Sequence, residues 1–110
     1  MNRPRMTAAS SALLRALLKR AGDERDRIIL THWVATDWQS LTFCGERHQA
    51  GFRITGEGAF ELAQRWTSGL EDADLPLGRG FLAEIDLAQP MKLQDDGSVL
   101  VDLEALTLED

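Results

Sequence analysis

One cysteine, three prolines and no tyrosine occur in 110 residues. The lone Cys44 allows no internal disulfide, which excludes a disulfide-stapled secreted scaffold. It fits a reducing compartment or a small hydrophobe in a sheet. No apolar run approaches the roughly 20 residues of a membrane-spanning helix. Leu13-Leu14-Arg15-Ala16-Leu17-Leu18-Lys19-Arg20 is broken by charge where a signal peptide is continuous, so the expectation is a soluble, cytoplasmic protein with no membrane span.

Basic charge is scarce beyond the first quarter of the chain. Residues 1 to 27 carry a net +4 and residues 28 to 110 a net −10, within an overall −6. An acidic body lacks the clustered Lys and Arg that phosphate contacts require, which argues against nucleic acid as a partner.

Signatures of chemistry are missing as well. His32 and His48 are the only histidines, and no C-x-x-C, H-x-x-H or H-E-x-x-H spacing accompanies them, so no metal site is assigned. Ser40, His48 and Asp37 form a nominal triad, but no nucleophile motif surrounds the serine and no catalytic residue is assigned. Gly56-Glu57-Gly58 lacks the third glycine of a dinucleotide loop and the Gly-Lys-Ser/Thr of a P-loop, and Glu57 would repel phosphate. It reads as a strained strand-to-helix turn, and no cofactor is expected.

What is present describes one folded domain over residues 1–110, since 44% hydrophobic content at this length suffices for a core without disulfides. Thr7 or Ser10 can cap a helix in which Leu13, Leu14, Leu17, Leu18 and Ala21 recur at three- and four-residue spacing, with Gly22 at its end. Three strands are expected next, 27–35, 39–45 and 48–54, with a first turn at Thr36-Asp37-Trp38 and a second at Glu46-Arg47. That register sets Leu41 opposite Phe52 and Phe43 opposite Ala50, and puts Cys44 and His48 on opposite faces. A second helix opens after Thr55, with Ala59, Leu62, Ala63, Trp66 and Leu70 on one face and Phe60 broadening it. Two strands near 80–88 and 98–106 follow, separated by the turn Gln94-Asp95-Asp96-Gly97.

The order α-β-β-β-α-β-β predicts an α+β fold, a five-stranded antiparallel sheet with helices packed on it. At the level of topology it resembles the small acidic chaperones of bacterial secretion systems, dimers that hold partner proteins. None of their motifs matches, and their third, C-terminal helix is missing.

Three groups of residues stand out as candidate sites. The first strand is apolar on both faces, and the last changes parity after Ala105, which makes Ile29, Trp33, Leu106 and Leu108 a candidate subunit interface. Trp33, Phe52 and Trp66 could line a pocket between the second helix and the sheet. Glu84, Asp86, Asp102 and Glu104 share one face of the last hairpin and form a candidate acidic docking surface. The reading that follows is an acidic, non-enzymatic protein-interaction module that pairs with itself as a homodimer and with another protein. The alternative is a small-molecule-binding domain using the tryptophan pocket.

Overall fold

The computed structural model describes residues 6 to 110. Helix α1 spans Ala8–Arg20, and a 3-10 turn, Gly22–Arg27, leads into the β1–β2 hairpin, Ile28–Gln39 and Cys44–Ile54. Helix α2 is Ala59–Thr67, and a second 3-10 turn, Leu70–Asp72, precedes β3, Phe81–Leu87, β4, Lys92–Leu93, and β5, Val99–Leu108. All strand pairings are antiparallel, in the order β1-β2-β5-β3, with β4 against the start of β5. The α+β class and the five-stranded sheet are those expected. The strands divide two before α2 and three after it, rather than three and two, and so depart from the chaperone-like order.

The difference arises at Thr36-Asp37-Trp38, which continues β1 instead of turning. That tripeptide contains no glycine or proline to force a reversal. Ser40 supplies the reversal instead: its backbone N–H donates to the Phe43 carbonyl at 2.8 Å and its hydroxyl accepts from the Phe43 N–H at 3.0 Å. The expected register is thereby corrected. Leu30 pairs with Phe52 and Trp33 with Ala50, while Leu41 is fully exposed at the turn and Phe43 partly so. Cys44 and His48 lie on one strand at the same parity, not on opposite faces.

A bulge between Leu30 and His32 accounts for the doubly apolar first strand. Parity shifts there, so Ile28 and Leu30 before it and Trp33 and Ala35 after it all join the core. The strand is therefore an edge strand and not a central one; Ile29 and Val34 face away from the helices and stay about half exposed. In β5 no bulge forms. Its register with β2 is continuous to Leu108, and the irregularity lies in β3, between Leu82 and Glu84.

The core fills the space between the helices and one face of the sheet. Leu13 and Leu17 on α1 meet Ala59, Leu62, Ala63 and Trp66 on α2 and Phe52, Ile54, Val99 and Val101 on the sheet. Two bonds join the helices: the Trp66 indole donates to the Leu17 carbonyl at 2.8 Å, and Arg20 Nε donates to the Trp66 carbonyl at 2.7 Å. Gly58 caps α2 at φ +71°, a conformation other residues adopt at a cost, and Arg27 braces this turn by donating to the Thr55 carbonyl at 2.9 Å and to that of Glu57.

Candidate interaction surfaces

His48 is the polar centre of the core. Its place on the inner face follows from parity with Ala50, Phe52 and Ile54 on β2, and it is buried like them. The Trp33 indole donates to Nδ1 at 3.1 Å, so Nδ1 is the acceptor and Nε2 carries the proton, donating to Thr107 Oγ1 at 2.8 Å. Ser10 Oγ lies 3.2 Å from Nδ1, and Thr7, the N-cap of α1, reaches both Ser10 Oγ at 2.8 Å and Glu46 Oε1 at 2.7 Å. Burial lowers the His48 pKa, and the Glu46 carboxylate opposes that shift only in part.

This constellation brings a serine, a histidine and a carboxylate into one network, yet its geometry is that of a structural tie. Ser10 is fully buried, Nδ1 is occupied by the indole N–H, and Glu46 meets Thr7 rather than the imidazole. The Ser10 hydroxyl has no solvent-exposed surface. The network pins the first turn of α1 to the middle of the sheet. The nominal Ser40, His48 and Asp37 set is not brought together: Ser40 is in the β1–β2 turn, Asp37 pairs with Glu46 and His48 with Ala35. Sequence reasoning missed Ser10 and Thr107 as partners of His48. Thr107 continues the inward series Val99, Val101, Leu103, Ala105, so a polar residue there was the available signal.

Trp33, Phe52 and Trp66 do meet. Their rings pack edge to face, 6.4 Å between Trp33 and Phe52 and 5.1 Å between Phe52 and Trp66. All three are buried, packed on one another in the core.

Of the four residues expected at an interface, Trp33 and Leu106 are buried within the chain itself. Leu108 packs across Gly45 on the outer face, where an added Cβ at Gly45 would lie 2.9 Å from Leu108 Cδ2. Ile29 remains open, with Val34 on the same outer side of β1.

The four acids share the outer face of the sheet, as their parity dictates. Asp86 is directly opposite Glu104, and Glu84 lies 3.5 Å from Arg47 in an exposed ion pair. Asp102 accepts a hydrogen bond from Gln89. Among the described residues no three His, Cys, Asp or Glu side chains converge on a metal position. No helix among them is long and apolar enough to cross a membrane.

No protein-family model matches this chain, and no curated protein matches it. Among solved structures it is similar to a chain in the virion of a native gene transfer agent particle, at 22% identity and a TM-score of 0.48, with 76% of this chain and 68% of that one covered.

Proposed function

We propose that this chain is a non-enzymatic protein-interaction module that associates with itself through the open edge of β1. The observation that carries the proposal is the composition of that edge. β1 is 12 residues long, lies at the end of the sheet, holds no proline or lysine, and contains Asp37 as its single carboxylate. Soluble proteins protect long edge strands with such residues or with bulges, because the unpaired N–H and C=O groups otherwise template another strand; the bulge of β1 lies before His32 and leaves His32–Gln39 regular. Here Ile29 and Val34 add exposed apolar surface along the same strand.

Antiparallel pairing with a second copy about a two-fold axis at Val34 would place Trp33 of one protomer opposite Ala35 of its partner, large against small. The two Asp37 side chains would then lie at opposite ends of the paired stretch and not against each other. Inside the cell is the setting this reading favours, since Cys44 is free and exposed and a reducing compartment would keep it a thiol.

Sedimentation equilibrium at micromolar concentration tests the proposal. The expected mass is twice the single chain's 12.2 kDa, falling to one chain in Ile29→Lys/Val34→Lys with an unchanged circular dichroism spectrum. A wild-type mass of 12.2 kDa overturns it.

A further inference from the structure

A second surface lies away from the β1 edge. Between α1 and the segment Leu75–Gly78 runs an open groove of about 570 Å³. Its floor is apolar, made by Ala12 and Ala16 on α1 and by Leu75 and Leu77 opposite. Arg15 and Lys19 stand one helical turn apart along its rim, both exposed. Among the described residues neither forms an ion pair, a state they share with Arg25, Arg79 and Lys92, but of these only Arg15 and Lys19 line the groove. Arg20, which also borders the groove, is already committed to the carbonyls of Trp66 and Ser68.

We infer that this groove docks an acidic amphipathic helix of a partner protein. Its volume falls in the range of about 300–1,000 Å³ found for ligand sites, but a small molecule needs most of its surface enclosed, and this groove leaves one side in water. A helix suits that shape, because it presents an apolar stripe to the floor while its other face stays solvated. Ala12 and Ala16 carry the smallest side chains that keep a helix intact, and they let a second helix approach α1 at the close end of the usual 8–10 Å interaxial range. The rim decides the charge. Two unpaired cations spaced by one turn match two carboxylates spaced by one turn on the incoming helix, and they repel a basic one.

The probe is a synthetic helix of about five turns, with leucines at i, i+3, i+4 and i+7 and flanking glutamates. Its control has lysine in place of every glutamate. Each is titrated into the full-length, isotopically labelled chain and followed by amide chemical shifts. The expected result is saturable shifts at Ala12–Lys19 and Leu75–Gly78 with the acidic peptide alone. Affinity should drop about tenfold or more in Arg15→Glu/Lys19→Glu, and should weaken as ionic strength rises from about 0.05 to 0.5 M. Both substituted positions are exposed, and an unchanged spectrum elsewhere shows that the variant is folded. The inference is overturned by the absence of saturable shifts at those residues, by equal binding of both peptides, or by a shift map centred on β1. The β1 variant Ile29→Lys/Val34→Lys should bind the acidic peptide normally, so failure of the dimer and failure of the groove are separate results.

Discussion

The indole N–H of Trp33 on β1 donates to Nδ1 of His48 on the neighbouring strand at 3.1 Å, with the two rings 5.7 Å apart and nearly perpendicular. This bond sets the histidine tautomer, because an imidazole nitrogen that accepts cannot also carry a proton. It also makes the neutral ring the form the fold prefers. Protonation would direct a second N–H at the indole inside the core, where an unpaired donor is costly.

A pH dependence follows from that preference. Burial lowers the folded-state pKa of His48, so the folded chain binds fewer protons than the unfolded chain near pH 6. The His48 contribution is therefore full above the unfolded value of about 6.5 and is lost as the pH falls through it toward the folded value. Urea midpoints at pH 7.5 and 5.5 should show this loss in the wild type and a smaller one in His48→Ala. At pH 7.5 the variant should be less stable by about 1–3 kcal/mol or more, since Trp33 and Thr107 lose their partner.

Phe52 and Leu41 should differ sharply when truncated. Phe52 is fully buried between Trp33 and Trp66, and Phe52→Ala should cost about 3–5 kcal/mol in chemical denaturation. Leu41 is fully exposed at the hairpin tip, and Leu41→Ala should stay within about 0.5 kcal/mol of wild type.

Two glycines of β2 make a second contrast. A Cβ at Gly45 would lie 2.0 Å from the Thr107 carbonyl oxygen, a backbone atom held in the β2–β5 ladder. At Gly51 the nearest atom is His32 Cε1 at 2.1 Å, on an exposed side chain that can rotate away. Gly45→Ala should therefore cost about 1–3 kcal/mol, and Gly51→Ala clearly less, in thermal or urea unfolding.

The outer acids should act by repulsion. Asp86 and Glu104 are cross-strand partners of like charge, so Glu104→Gln should raise stability by somewhat less than about 1 kcal/mol at low salt. The gain should shrink in about 0.5 M salt as screening replaces the substitution. A loss of stability at low salt would show that Glu104 holds a favourable contact.

The sequence by itself determined the local elements whose signals are covalent neighbours. Thr7, the Leu13/Leu17 spacing and Gly22 specify α1, and Ala59, Leu62, Ala63 and Trp66 specify the buried face of α2, because a helix reads its own period. Gln94-Asp95-Asp96-Gly97 likewise specified a turn, closed by Asp96 accepting from Ser98, which also lowers the Asp96 pKa. The sharing of one sheet face by Glu84, Asp86, Asp102 and Glu104 was legible too, since parity within a strand is fixed by the chain.

Only the tertiary structure decided where β1 ends and how it sits. Parity has meaning only between irregularities, and the bulge after Leu30 reversed it, turning an apparent central strand into an edge strand with one true core face. The hairpin turn fell at Ser40 because that serine's own hydrogen bonds close the chain there, against a weaker pattern at Thr36-Asp37-Trp38. The union of Ser10, Trp33, His48 and Thr107 was not visible at all, because its members lie up to 97 positions apart and meet only when α1 is laid across the finished sheet.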